Sequence, residues 1–344
     1  EDVILKVPIG TQIFGSEDKD LMGDLINPGQ RMVLAKGGDG GRGNAHFKTS
    51  TNQSPKRAED GWPGEEHWLW LQLKLIADVG LIGLPNAGKS TLLNRMVGSK
   101  VSIVTHKVQT TRTRIRGVAR ANKTQIIFVD TPGVFKPRRG LDRAMVAAAW
   151  DGVADADLVV LMVEAHRGIT DGVKLILNEF KKLQNGRVAL LAINKIDRVQ
   201  SEVLLPLTEQ MNVLYPFAAT FMISAEKGQG LVELKSYLAK QLPYGPWLYP
   251  EDQIADLPMR MIASEITREK LILRLHQEIP YQLTVETEEW QSRKDGSVRI
   301  KQVVYVVRDG HKGIILGKGG ETVKAISIAA RGELEALLEL KVHL

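Results

Sequence analysis

The chain has no cysteine. Disulfides and thiolate-held zinc are therefore excluded, and the composition suits a reducing cytoplasm without proving one. Long apolar runs are also missing: stretches such as Leu158 to Val163 fall far short of the ~20 residues that a spanning helix needs. No signal segment is visible, but the first residue is Glu1 rather than Met, so that absence weighs little. The histidines form no cluster with metal-ligand spacing, which leaves no transition metal to assign. Apolar residues at 43% and charged ones at 25% of 344 positions leave room for two or three globular domains with a core of ordinary size.

Acidic residues are scarce in one place. Between Lys100 and Arg139, the basic residues Lys100, Lys107, Arg112, Arg114, Arg116, Arg120, Lys123, Lys136, Arg138 and Arg139 stand against the single acid Asp130, although the net charge of the whole chain is only +6. A solvated face and a surface for a polyanion such as RNA both fit a cluster this one-sided.

Four strings stand in fixed order: GLPNAGKS (Gly83 to Ser90), DTPG (Asp130 to Gly133), NKID (Asn194 to Asp197) and SAE (Ser224 to Glu226). The first fits GxxxxGK[ST] between an apolar run, Leu75 to Ile82, and a helical stretch, Ser90 to Met96. Gly83 and Gly88 let backbone amides, those of Ala87 and Thr91 among them, turn toward phosphates. Lys89 reaches the β and γ oxygens, and Ser90 puts a hydroxyl on Mg²⁺. Alone, the string also suits a chance loop or an ATP site. Asp130 ends the strand-like run Gln125 to Val129 and can hold the Mg²⁺ shell, with Gly133 offering an amide to the γ-phosphate. Asn194, Lys195 and Asp197 follow the run Val188 to Ile193. A carboxylate there accepts the guanine N1 and N2 protons, a donor pair that adenine lacks. Ser224 and Ala225 close a short strand, Thr220 to Ile223, and contact the guanine edge through backbone. Each string lies at a strand end, where open α/β sheets bind ligands, so the set predicts a GTP site.

Residues 1–72 read as a separate segment. Val3 to Val7 and Arg31 to Leu34 are β-like, and Lys36 to Phe47 (KGGDGGRGNAHF) is too glycine-dense for a helix or central strand. Extended glycine backbone and simple disorder both suit that composition. Trp68 to Ile76 alternates and leads into the first strand of a doubly wound domain, residues 73–242. Within it Arg114 to Arg120 and Thr124 to Asp130 predict one antiparallel hairpin. Pro243 to Pro258 carries four prolines and reads as a linker. In residues 259–344 a helix, Met259 to His276, precedes two strands, Tyr281 to Trp290 and Ser297 to Val307. GKGG (Gly317, Lys318, Gly319, Gly320) then opens a helix, Glu321 to Leu338. A GxxG turn can be a plain helix-to-helix turn. Placed after those elements, with Arg308, Lys312 and Lys318 around it, it predicts an α+β KH fold that clamps single-stranded RNA.

From about Asn86 onward the chain resembles the Era family of bacterial GTPases. The likeness is carried by PNAGKSTLLNRMVGSKVSIVT, QTTRTRIRG (Gln109 to Gly117), DTPG, NKID, ISAEKG (Ile223 to Gly228) and SEITREKL (Ser264 to Leu271). The resemblance implies a cytoplasmic GTPase that binds 16S rRNA through the KH domain and assists 30S subunit assembly. It also implies some association with the inner membrane surface, and no DNA partner. Residues up to Leu93 instead resemble the Obg family, through KVPIGT (Lys6 to Thr11), PGQR (Pro28 to Arg31), GGRGNAHFKTSTNQSP (Gly40 to Pro55) and LKLIADVGLIGLPNAGKSTLL (Leu73 to Leu93). The two likenesses meet in the phosphate loop, a seam where recombination, gene engineering or a mistaken join of reads falls. An Obg-like segment cut short in this way is expected to be a loosely ordered arm whose strands lack partners. At Lys341 to Leu344 an Era-type KH domain is only starting its third strand, so a C-terminally truncated domain with an unpaired sheet edge is expected.

Phosphoryl transfer to water needs positioning and charge stabilisation. A switch threonine completes the Mg²⁺ shell; Thr111 is preferred to Thr110, with little to separate them. Val134 stands where a water-orienting glutamine would be in Ras-type enzymes, so slow turnover is expected. Asn86 matches an asparagine that holds K⁺ in related GTPases, and it is also an ordinary turn residue. Arg112 or Arg114 could serve as an arginine finger. Three functions are compatible: an Era-like GTPase whose GTP state controls RNA engagement, an Obg-like factor of the large subunit, or a nucleotide-binding module without useful catalysis.

Overall fold

The computed structural model describes residues 3–7, 11–15, 20–25, 29–73, 77–105, 107, 110–112, 114–135, 140–154, 156–182, 188–242, 247–251, 253–275, 279 and 282–344. Backbone contacts divide the chain into two units, residues 1–76 and 77–344.

In the first unit β1 (Thr11–Gly15) pairs antiparallel with both β2 (Leu21–Leu25) and β3 (Leu69–Leu73). Neither Val3 to Val7 nor Arg31 to Leu34 is a strand, which corrects the reading above. The run Trp68 to Ile76 is likewise corrected, because β3 belongs to this small sheet and residues 74–76 lie outside the described ones. The expected loose arm is replaced by paired backbone. Glu65, Trp62 and Glu59 donate their amides to the carbonyls of Lys36, Asp39 and Arg42. The spacing of three is that of polyproline II helices. Close approach requires glycine here: a Cβ on Gly38 would lie 1.8 Å from the Trp62 carbonyl oxygen, and one on Gly41 1.9 Å from that of Glu59.

The second unit starts with β4 (Ala77–Gly83) and α1 (Lys89–Val97). The hairpin β5 (Ile115–Ala121) and β6 (Thr124–Asp130) follows, antiparallel as expected. Next come α2 (Gly140–Ala154), β7 (Ala156–Glu164), α3 (Asp171–Lys182) and β8 (Val188–Asn194). The sheet closes with α4 (Leu204–Leu214), β9 (Ala219–Met222) and α5 (Leu231–Gln241). Six strands order as β5-β6-β4-β7-β8-β9. Strands β4, β7 and β8 are nearly continuous aliphatic runs because helices cover both faces. On one face α3 buries Val173, Ile176, Leu177 and Phe180 at helical spacing.

The C-terminal elements are α6 (Met259–Arg274), β10 (Leu283–Ser292), β11 (Val298–Val306), α7 (Asp309–Leu316), α8 (Glu321–Leu338) and β12 (Val342–His343). In the sheet order β10-β11-β12 the third strand only begins, as expected: Val342 and His343 pair parallel with Val298 and Arg299, and among the described residues no strand pairs with that edge of β11 beyond Arg299. Ile262, Ala263 and Ile266 of α6 and Leu334 of α8 join the same buried cluster as Leu92, Leu93 and Phe128. The described part of the linker is strapped to the hairpin. Val118 donates to the Ile254 carbonyl at 2.9 Å, and Gln125 accepts from the amides of Leu248 and Tyr249. Residues 243–246 lie outside the described ones. No helix among the described residues is long and apolar enough to cross a membrane.

Candidate nucleotide site and C-terminal domain

The ends of β4, β6, β7 and β8 converge on a cleft of about 380 Å³ lined by Asn86, Gly88, Lys89, Ser90, Thr111, Gly133, Glu164 and Lys195, among others. Gly88 holds φ +98° and caps α1. A side chain there would be strained, and its Cβ would lie 2.2 Å from Asn194 Nδ2. Asn194 itself staples two loops: Nδ2 donates to the Ala87 carbonyl at 2.7 Å, and Oδ1 accepts from Ala225 N at 3.0 Å.

Lys89 is buried, with Nζ 3.2 Å from the carbonyl oxygens of Gly83 and Leu84. Burial lowers its pKa to about 8, against the pull of Asp130 and Glu164. Asp130 is fully buried. Its Oδ2 accepts from Ser90 Oγ at 2.5 Å and Ser102 Oγ at 2.9 Å, while Oδ1 accepts no hydrogen bond. Burial raises its pKa; Lys89 and the hydroxyls of Ser90, Ser102 and Thr111 oppose that. Ser90 Oγ lies 3.2 Å from Thr111 Oγ1. Two hydroxyls and a carboxylate with an unsatisfied oxygen are the hard oxygen donors that Mg²⁺ prefers, so the residues fit that ion. Thr110 is turned elsewhere, its hydroxyl donating to the Lys107 carbonyl at 2.8 Å. Gly133 packs against Pro85 of the phosphate loop.

On the base side, exposed Asp197 is held below the usual carboxylate range, first by a hydrogen bond from Ser224. That bond joins NKID to SAE. Thr91 follows Ser90 in the first turn of α1. Asn86 has φ +65°, and its carbonyl accepts from Lys195 Nζ at 2.8 Å.

The cationic stretch is spent largely within the fold rather than left as a free polyanion surface. Lys100 Nζ meets Glu269 at 2.5 Å and also Glu333. Lys107 Nζ donates to the carbonyls of Ile272 and Leu275. Arg116 pairs with Asp256 at 2.8 Å and Arg120 with Glu251 at 2.9 Å. Arg112, weighed as a finger, donates to the Leu283 carbonyl at 2.8 Å, and Arg114 faces Asp151 at 3.8 Å. Burial, then nearby Arg268, lowers the Arg112 pKa to about 10. Lys136, Arg138 and Arg139 lie outside the described residues.

Sequence reasoning missed Glu164, Arg268 and Glu269. Glu164 ends β7 as Asp130 ends β6 and Asn194 ends β8, and that shared position was the available signal. Buried Glu269 accepts from Val104 N at 2.8 Å. In the C-terminal domain Gly317, Gly319 and Gly320 all have positive φ between α7 and α8. Lys312 is exposed and paired with Asp309 at 2.8 Å.

A family model described as GTP1/OBG matches residues 1–75, one described as 50S ribosome-binding GTPase matches 78–195, and a KH domain model matches 278–344. The chain is 71% identical over 267 residues to GTPase Era of Dinoroseobacter shibae, covering 77% of this chain and 87% of that one. It is 59% identical over 266 residues to GTPase Era of Sinorhizobium medicae, covering 77% and 85%. Among solved structures, Era in complex with MgGDPNP and nucleotides 1506–1542 of 16S ribosomal RNA superposes with a TM-score of 0.74 at 38% identity, over 78% of this chain and 91% of that one. A variant of Aquifex aeolicus Era bound to GDP·AlF4⁻ gives the same values, 0.74, 38%, 78% and 91%.

Proposed function

The chain belongs to the Era family of GTPases, and on that premise we propose that its GTP state governs engagement of 16S rRNA by the KH domain during assembly of the 30S subunit. GTP is the substrate and Mg²⁺ the metal. In this reading residues 73–242 form the G domain, 243–258 the linker and 259–344 the KH domain, with 1–72 an Obg-like segment. Lys89 and the amides from Gly83 to Thr91 hold the phosphates, while Ser90, Thr111 and Asp130 hold Mg²⁺. Gly133 senses the γ-phosphate. Asn194, Lys195, Asp197, Ser224 and Ala225 select guanine, and Asn86 is the candidate K⁺ ligand. Gly317, Lys318, Gly319, Gly320 and Lys312 face the RNA backbone. Work in the cytoplasm, with peripheral contact at the inner membrane, completes the reading.

The observation that carries it is the buried Glu269 of α6, which grips Lys100 and the amide of Val104, on the segment that leads to Thr111. A segment that responds to the γ-phosphate is thereby tied to the first helix of the RNA-binding domain. The GTP1/OBG match to residues 1–75 favours a second reading, a factor of the large subunit. Hydrolysis of GTP by the full chain, in potassium and in sodium, with 16S 3′-end or large-subunit rRNA fragments, tests both. Stimulation by the 16S fragment and by potassium is expected. Stimulation by large-subunit RNA alone would overturn the first reading in favour of the second.

A further inference from the structure

We infer that Glu164 is a positioning residue of the nucleotide site, holding Lys195 against the phosphate loop so that the base-reading and phosphate-reading loops move as one. The inference rests on the nucleotide site proposed above. Strand β7 lies between β4, which runs into the phosphate loop, and β8, which runs into NKID. Glu164, its last residue, stands in register with Asn194. The sheet therefore delivers one carboxylate between the two loops.

That carboxylate is 5% exposed, and its Oε2 accepts from Lys195 Nζ at 2.6 Å. The same ammonium donates to the Asn86 carbonyl at 2.8 Å. Both ends of this chain are strained: Asn86 at φ +65° and Lys195 at φ +63° are non-glycine residues in the left-handed region. Such conformations persist only where neighbours over-determine them, and a single ammonium ties the two together. The remainder of the Glu164 site is poorly satisfied. Its Oε1 accepts no hydrogen bond, with Arg167 Nε 3.6 Å away, while His166 Nε2 stands 3.5 Å from Oε2. For stability alone, an apolar residue generally serves as well as a buried ion pair with unmet hydrogen bonds. The pair makes sense as a brace, because without the carboxylate the long lysine stem is free to leave the Asn86 carbonyl.

Glu164 also favours the charged form of Lys89, so the test must separate the two lysines. Release of the fluorescent nucleotide mant-GDP from the full chain is measured by stopped flow for wild type, Glu164→Gln, Lys195→Met and the double variant. Expected is release about tenfold faster or more in each single variant, with the double variant within about twofold of Lys195→Met. Multiplying losses would mean that Glu164 acts apart from Lys195, and release from Glu164→Gln within about twofold of wild type would mean that it does not act at all; either overturns the inference. Glu164→Asp keeps the charge but withdraws it by one methylene. If Glu164→Gln fails to fold, the aspartate variant decides: fast release with an unchanged melting temperature supports the brace, and unchanged release overturns it. A wild-type chain that retains no mant-GDP would instead overturn the nucleotide-site reading, and the brace with it.

Discussion

Arg268 Nη2 donates to the Thr110 carbonyl at 2.7 Å, and the next residue, Thr111, has its hydroxyl 3.2 Å from Ser90. One peptide unit therefore separates α6 from the paired hydroxyls of Thr111 and Ser90. Arg268 is 3% exposed and paired with Glu265, so the contact is built into the packing rather than laid on the surface. Changing Arg268 to Gln should uncouple the domains. The ratio of 16S-fragment affinities between the GTP-loaded and GDP-loaded states is expected to shrink by about fivefold or more. Filter binding with a nonhydrolysable GTP analogue and with GDP checks this, and an unchanged ratio would remove Arg268 from the coupling.

The two adjacent threonines should behave differently. Thr111 stands 3.2 Å from Ser90 Oγ and helps to hold the Asp130 carboxyl charged, whereas Thr110 serves Lys107 and Thr105. Thr111→Ala should lower GTP hydrolysis about a hundredfold and raise the Mg²⁺ concentration needed. Thr110→Ala should stay within about threefold of wild type, since its hydroxyl supports a loop and no donor set. Mg²⁺ titrations of turnover for both variants decide it, and a reversed order would reassign the switch threonine.

The nucleotide strings were legible because each falls where an apolar run stops, and a strand end needs no tertiary knowledge to find. The bounds of α8 and the β5-β6 hairpin were legible for similar local reasons. What could not be read were pairings across long sequence separations. Lys100 finds Glu269 and Glu333, Arg116 finds Asp256 and Arg120 finds Glu251, so several cations of the run that suggested a polyanion site are instead paired with acids far along the chain. The N-terminal strands were misplaced because segments of five residues such as Thr11–Gly15 and Leu21–Leu25 are too short to carry a clear period of two.

Lys89 should give nucleotide binding a pH dependence. Burial holds the pKa of this ammonium at about 8 in the nucleotide-free chain, and phosphate oxygens require the charged form. GDP affinity should therefore fall as pH rises through about 8, approaching tenfold per pH unit beyond it. The empty protein should move the other way. Between about 8 and the unfolded value near 10.4 the unfolded state binds more protons, so this lysine adds stability as pH rises. Calorimetric GDP titrations from pH 7 to 9 test the first sign. A profile as steep in Lys89→Met as in wild type would assign the dependence to another group.

Asp78 offers the opposite sign. Burial pushes its carboxyl up to about 6, Ile127 opposes that by donating its amide at 2.6 Å, and Asp157 adds to it. Between the unfolded value near 3.9 and about 6 the folded state holds the extra proton, so stability falls as pH rises through this window. Asp78→Asn keeps an acceptor for Ile127 and removes the buried charge. It should stabilise the chain by about 1 to 2 kcal/mol at pH 7.5, a rise of several degrees in Tm, and make no difference at pH 4. Equal melting temperatures at pH 7.5 would mean that water or a neighbour already compensates Asp78.

The glycine-packed pair in the first unit can be tested by one atom. A Cβ on Gly41 would lie 1.9 Å from the Glu59 carbonyl oxygen, whereas one on Gly40 would meet nothing within 4 Å. The obstacle is backbone rather than a flexible side chain, so the partners must separate, and the ladder bonds from Glu59 to Arg42 and from Trp62 to Asp39 are lost with them. Each such bond contributes only about 1 kcal/mol, and little apolar burial is on hand to compensate, since Ile13 and Pro55 are the buried apolar residues among the described side chains of this unit. Gly41→Ala should therefore open residues 36–65 to limited proteolysis and speed amide exchange there, while Gly40→Ala leaves both unchanged. Equal protection in the two variants would show that glycine stands at these positions for some reason other than contact between the segments.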